Sequence, residues 1–187
     1  MKKVLILTAV LCGMVGAASA QSNVVKLNIF SPIVKTGSFF YERKVTDGSS
    51  FQLGAFVTSY SPSDTKFSGF GITPEYRFYL SGEALNGFYV GPYLRYQNFT
   101  LKTTYESFNG TSSSTVEDKA TLNTFGGGIV LGRQWLFKER FALDPFLGLG
   151  YNGGSVEVES NGSEDNFDTG AFQGFGLRAG LSIGIAF

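Results

Sequence analysis

Gly174-Phe-Gly-Leu-Arg-Ala-Gly-Leu-Ser-Ile-Gly-Ile-Ala-Phe187 alternates apolar residues with Gly, Arg, Ser and Ala in strict period two. Side chains of a strand alternate between two faces. In that phase Phe175, Leu177, Ala179, Leu181, Ile183, Ile185 and Phe187 share one face, and Gly174, Gly176, Arg178, Gly180, Ser182, Gly184 and Ala186 share the other. One face is wholly apolar; the other carries no large apolar side chain.

The same phase recurs upstream. Phe70, Ile72, Pro74, Tyr76, Phe78 and Leu80 stand against Gly71, Thr73, Glu75, Arg77 and Tyr79. Phe141, Leu143, Pro145, Leu147, Leu149 and Tyr151 stand against Ala142, Asp144, Phe146, Gly148, Gly150 and Asn152. Lys26 and Asn28 oppose Val25, Leu27 and Ile29, and Glu42 opposes Phe39 and Tyr41. Reading for period-two alternation predicts eight strands near 24–31, 38–45, 50–60, 66–80, 88–105, 120–136, 140–156 and 171–187. The sixth is the least regular, because Arg133 shares a phase with Ile129 and Leu131: either it snorkels beside Trp135 or a bulge switches the phase.

Connections alternate in style. Asp47-Gly48, Ser81-Gly82-Glu83 and Lys138-Glu139 are short, whereas 61–65, the polar stretch 106–118 and the acidic stretch 161–168 are mostly longer; the short link 32–37 breaks the rule. Short turns at one end and longer loops at the other suit a membrane barrel. Placing the apolar face toward lipid and the Gly and charged face inward satisfies the pattern. The inverse would bury Glu75, Arg77, Asp144 and Arg178 in a core and leave the large residues in water. The expected fold is all-β, an eight-stranded antiparallel up-and-down transmembrane β-barrel.

Aromatic residues gather near strand ends, where amphipathic rings favour the headgroup level. Tyr76, Phe78, Phe88, Trp135, Phe141 and Phe187 are expected to form one girdle, and Tyr60, Phe99, Tyr105, Tyr151 and Phe172 the other.

The chain opens with Lys2 and Lys3, an apolar run over 4–16 and the small residues Ala18-Ser19-Ala20. That order is a secretory signal peptide, with residues 1–20 removed and 21–187 left as the barrel domain. The apolar run is too short for the roughly 17 to 25 residues of a spanning helix. A lipoprotein signal at Cys12 is the alternative, but Leu11 is not the small residue such a signal requires. Cleavage leaves 13 basic and 15 acidic residues with no cysteine. No Lys/Arg cluster offers nucleic acid a basic face.

The full chain contains no histidine. The commonest general base and metal ligand are therefore missing, and a Ser–His or Cys–His arrangement cannot be built. Lys26, Glu42, Lys44, Glu75, Arg77, Arg95, Asp144 and Arg178 form the inward charge cluster. They either pair and plug the lumen or line a narrow conduit; pairing is favoured, because unpaired charges in a tight interior cost several kcal/mol each. Glu157, Glu159, Glu164, Asp165 and Asp168 read as a solvated loop rather than a Ca²⁺ site, since the ligand spacing of a calcium loop is missing. Asn98-Phe-Thr, Asn109-Gly-Thr and Asn161-Gly-Ser match a glycosylation pattern that is frequent by chance. Gly126-Gly-Gly-Ile-Val-Leu-Gly132 lies within a strand and not before a helix, so close packing explains it better than phosphate binding.

The segment Gly176-Leu-Arg-Ala-Gly-Leu-Ser-Ile-Gly-Ile-Ala-Phe187 resembles the C-terminal assembly signal of outer-membrane β-barrels. Thr73-Pro-Glu-Tyr-Arg-Phe-Tyr79 and Gly132-Arg-Gln-Trp135 also look like segments of small outer-membrane barrel proteins, and the architecture is similar to the eight-stranded OmpA and OmpX type. The resemblance implies that Phe187 is read by the barrel-insertion machinery. It implies an outer-membrane location with lipid as the surrounding partner; from the residue types, no cofactor is expected. No peptidoglycan-binding domain follows, so no cell-wall tether is expected. The expected role is a monomeric, non-catalytic structural or surface-interaction barrel whose surface ligand the sequence does not name. A narrow channel and a soluble periplasmic lipid-binding barrel are the alternatives.

Overall fold

The computed structural model describes residues 22–61, 65–108, 113–158 and 174–187, and for 65, 103–108, 113–118 and 156–158 the backbone alone. The leader 1–20, Glu159, Glu164, Asp165, Asp168, Phe172, Asn109 and Asn161 lie outside the described residues, as do the side chains of Tyr105 and Glu157.

Eight strands form one closed barrel in chain order: β1 Asn23–Asn28, β2 Thr36–Thr46, β3 Ser49–Tyr60, β4 Thr65–Tyr79, β5 Gly87–Phe108, β6 Ser113–Phe137, β7 Phe141–Val158 and β8 Gly174–Ala186. Each neighbouring pair is antiparallel, and β8 returns to β1 with Val25 opposite Ile185. Asn23 and Phe187 exchange backbone hydrogen bonds of 3.1 and 2.9 Å at this seam. Closure leaves no open sheet edge along the paired length, so backbone groups are satisfied without water.

The faces are arranged as the alternation requires. Leu177 is 69% exposed while its neighbour Arg178 is 7% exposed, and Ile183 and Ile185 also look outward. β6 keeps one register with β5 and β7 throughout, so no bulge switches its phase. Arg133 instead points outward, its Cζ 4.6 Å from the Phe88 ring and 4.7 Å from that of Trp135. A register shift does occur in β2, between Lys44 and Thr46.

Three connections depart from expectation. β1 stops early because the Asn28 side chain accepts the Phe30 amide at 3.0 Å, and a 3₁₀ turn, Ser31–Val34, follows with Pro32 in its first turn. The stretch 106–118, expected as a loop, is largely strand: pairing of β5 with β6 continues to Phe108 opposite Ser113. Phe108, Thr115 and Val116 favour extended backbone, and beyond an apolar belt a two-stranded ladder has no need of an apolar face.

The Ser81-Gly82-Glu83 connection is the third. It runs from Leu80 to Asn86 and folds across the mouth of the barrel, aided by positive φ at Gly82, Leu85 and Gly87. Ala84 donates its amide to the Asp47 carbonyl at 2.5 Å, and the Gln134 side-chain amide donates to the Leu85 carbonyl at 2.9 Å. Leu85, only 2% exposed, sits with Ala84, Val24, Ala142 and Ala186 as an apolar stopper. Turn chemistry announces where a chain reverses; it does not say where an apolar residue two positions later will be buried.

Space inside is tight, and large inward side chains lie over glycines of adjacent strands. A Cβ on Gly132 would fall 2.3 Å from the Tyr89 hydroxyl, whereas one on Gly37 would meet nothing nearer than Val57 at 3.8 Å. Gly132→Ala is therefore expected to destabilise the barrel by about 1–3 kcal/mol, and Gly37→Ala to leave it nearly unchanged. Urea unfolding of the refolded protein in detergent micelles, followed by Trp135 fluorescence, measures both.

Candidate functional site

The lumen of the described strands is filled by charge. Lys26 on β1 places its ammonium 2.5 Å from Glu42 Oε2 on β2 and 2.7 Å from Asp144 Oδ2 on β7, and donates to Gln134 Oε1 on β6 at 2.6 Å. Arg77 on β4 donates through Nε to Glu75 at 2.5 Å, and through Nη1 to Asp144 at 2.9 Å and Glu42 at 3.3 Å. Arg178 on β8 donates to the other oxygen of Glu75 at 2.7 Å. Three cations and three carboxylates thus form one connected, neutral set.

Neutral groups complete it. The hydroxyls of Tyr79 and Tyr89 donate at 2.7 Å to Glu42 and Asp144, and Ser50 donates to Glu42. The Arg77 guanidinium lies 4.1 Å from the Tyr89 ring centroid, and that of Arg178 lies 4.8 Å from Phe146. Aromatic faces so cover the cations where carboxylates do not. Gln134, Tyr89 and Ser50 are partners that a search for charged residues passes over. Their signal was their phase, opposite to Arg133, Phe88 and Phe51.

Two residues expected in the cluster stand outside it. Lys44 shares the inward phase but lies two positions nearer the turn than Glu42, past the edge of the lumen. It is half exposed and pairs with Asp47 at 2.8 Å, whose carboxyl this hydrogen bond and charge hold below its ordinary range. Arg95 lies on the other side of the network, toward the long β5–β6 hairpin, and its hydrogen-bond partner is Thr73 Oγ1 at 3.4 Å. Phe99 is a further correction: it has the phase of Arg95, so it turns inward, 4% exposed, and stacks on Phe67 with centroids 5.3 Å apart.

Outside, the apolar residues form a belt of limited height. Outward apolar residues run from Phe70 on β4 to Leu80 just past its end, from Phe88 to Tyr96 on β5 and from Phe141 to Tyr151 on β7. Each run is about nine to eleven residues, the length with which a tilted strand crosses a bilayer. Beyond it the outer face turns polar at once. Asn98 donates to Asn123 at 2.6 Å, and the Tyr96 hydroxyl reaches up from the belt to the same oxygen at 3.1 Å. At the short-turn end Tyr76, Phe78, Phe88, Trp135 and Phe141 ring the outer face, with Tyr76 and Phe78 centroids 5.0 Å apart. Tyr60 and Tyr151 lie exposed toward the other end.

Chemically the site is suited to holding charge in place. The Glu42 and Asp144 carboxylates are both committed to Lys26 and Arg77. Among the described residues no group of three or more His, Cys, Asp or Glu is arranged to hold a metal ion.

A closed eight-stranded barrel with apolar residues outside and a neutral ion network inside is the architecture of the outer-membrane barrel class. The chain belongs to the family described as "Protein of unknown function (DUF3575)", whose profile matches residues 5–158. Among solved structures it is similar to Ail, the attachment invasion locus protein of Yersinia pestis, at 10% identity over 90% of this chain and 100% of that one, with a TM-score of 0.49. It is also similar to CarO2 of Acinetobacter baumannii, at 12% identity over 89% and 97% of the two chains and a TM-score of 0.45. The N-terminal β-barrel domain of Pseudomonas aeruginosa OprF matches at 17% identity over 90% and 100%, with a TM-score of 0.39. No curated protein sequence matches the chain.

Removing one partner from a buried ion set strands the others. Lys26→Met is expected to cost about 3–5 kcal/mol, because two carboxylates lose a shared cation. The pair K26M/D144N is expected to cost clearly less than the sum of the two single changes. A double-mutant cycle of urea midpoints in micelles reads the difference.

Proposed function

We propose that the protein is a non-catalytic, integral outer-membrane β-barrel with a structural or surface-interaction role, exported by a leader of residues 1–20. The observation that carries this reading is the inverted polarity: an apolar belt of bilayer height around a neutral, hydrogen-bonded charge network. In water such a surface would leave most of the large apolar side chains unburied; in lipid it is already solvated. The short turns then face the periplasm and the long β5–β6 hairpin faces outward.

Phe187 supports a biogenesis role, since its backbone closes the β1–β8 seam and it ends the apolar row of β8. In this reading the barrel-insertion machinery engages that row, and truncating Phe187 lowers the folded yield in the membrane.

The polar lumen favours a second reading, a narrow channel for ions or small solutes. Two features weigh against it: the network is fully paired among its three cations and three carboxylates, and Leu85 and Ala84 close one mouth. A soluble lipid-binding barrel requires apolar residues inside, opposite to Arg77 and Lys26, both 0% exposed.

Expressed with its own leader, the protein is expected in the detergent-resistant outer-membrane fraction, starting at Gln21 and migrating faster on gels before boiling than after. Recovery from the soluble periplasmic fraction without detergent would sink the reading. In planar bilayers no steady conductance is expected from the wild type. A stable open level that disappears in Arg178→Gln would promote the channel instead.

A further inference from the structure

Above the ion network, toward the β5–β6 hairpin, the lumen opens into a cup of about 350 Å³ that the proposed role leaves unused. Its wall mixes rings with a few polar groups: Phe56, Phe99 and Phe146 alternate with Arg95, Gln97 and Arg178. The charge balance inside the barrel sets this cup apart. The described side chains of the lumen hold four cations, Lys26, Arg77, Arg178 and Arg95, against three carboxylates, Glu42, Glu75 and Asp144. The first three cations satisfy all three carboxylates. Arg95 is the surplus.

Arg95 is half-buried, its Cζ 5.7 Å from the Phe56 ring, with Thr73 Oγ1 as its hydrogen-bond partner. A guanidinium presents five donors in a planar fork suited to a carboxylate, so most of its capacity remains unused. A cation drawn partly out of water without a counter-charge is costly, and an anion arriving beside it relieves that cost. Inorganic anions are strongly hydrated and gain nothing from phenylalanine rings. A dianion would overshoot a single surplus charge. The floor of the cup is sealed by Arg178 on Glu75 and on Phe146, so whatever enters leaves by the same mouth.

We propose that this cup binds a small organic monoanion, an aromatic carboxylate, with its carboxylate on Arg95 and its body against Phe56 and Phe99. The volume lies at the lower end of ligand sites, enough for one or two fused rings. The direction in which the cup opens rests on the membrane reading above, but the binding does not.

The full mature chain, refolded in detergent micelles, is titrated with 2-naphthoate and separately with the neutral 2-naphthalenemethanol by calorimetry. Saturable one-to-one binding of the acid is expected, with the alcohol at least about tenfold weaker, as loss of a charge-assisted hydrogen bond requires. Arg95→Gln is expected to weaken the acid by a similar factor, and Arg43→Gln, on the outer face, to leave it unchanged. Fold is checked by heat-modifiable migration; if Arg95→Gln does not fold, the comparison of acid with alcohol on the wild type decides alone. Absence of saturable naphthoate binding up to about 10 mM, well above the millimolar range of a weak site, overturns the proposal. So does equal binding of acid and alcohol, or equal binding to Arg95→Gln, either of which reports partition into detergent. None of these outcomes bears on whether the protein fractionates with the membrane.

Discussion

An ion removed from water must be given a partner, and within this narrow cylinder that requirement governs nearly everything else. Solvation is lost over several kcal/mol for each bare charge, more than most single contacts return. Lys26, Arg77 and Arg178 answer it with Glu42, Glu75 and Asp144, arranged so that each carboxylate serves two cations and each tyrosine hydroxyl fills a remaining lone pair. Strand phase follows from this. A one-residue slip of β8 would send Arg178 to the apolar side and Leu177 into the network.

Crowding is the second condition. Eight strands enclose little more than side-chain volume, so the ions and rings fit only where the facing strand gives way, as Gly132 does beneath Tyr89 and Gly184 beneath Lys26. Glycine on the inner face is thus the steric complement of the network. The stopper of Leu85 and Ala84 finishes the filling at one end with apolar atoms, and at the other the crowding relaxes into the cup around Arg95.

Strand number, pairing order and the inward direction of Arg178, Glu75, Arg77 and Asp144 were legible because period-two alternation is a local property of the chain. The seam between β1 and β8 followed from closure. What was not legible depended on depth along the axis, which alternation does not encode. Lys44 and Glu42 have the same phase, yet one lies past the rim and pairs with Asp47 while the other is fully enclosed. Arg95 and Arg178 likewise share a lumen but not a partner. Phe99 differs from expectation for another reason: aromatic residues near strand ends suggest a headgroup belt, but its phase is that of Arg95. The reach of β5 and β6 beyond the belt is not legible because a polar stretch of strand looks like a loop when no apolar face marks it.

The network also ties the first strands of the sheet to the last. Lys26 comes from β1, Glu42 from β2, Arg77 and Glu75 from β4, Asp144 from β7 and Arg178 from β8. A hairpin of β1 and β2 pairs Lys26 with Glu42 but leaves the Asp144 contact unmade, and β7 with β8 brings Asp144 and Arg178 without either of their counterions. The pairs among Lys26, Glu42, Arg77 and Glu75 lie within β1 to β4, and the contacts that tie Asp144 and Arg178 to them form only when β7 and β8 are brought round to the first strands. Winding the cylinder shut therefore welds the two ends of the chain together from the inside, through side chains, as well as along the backbone seam.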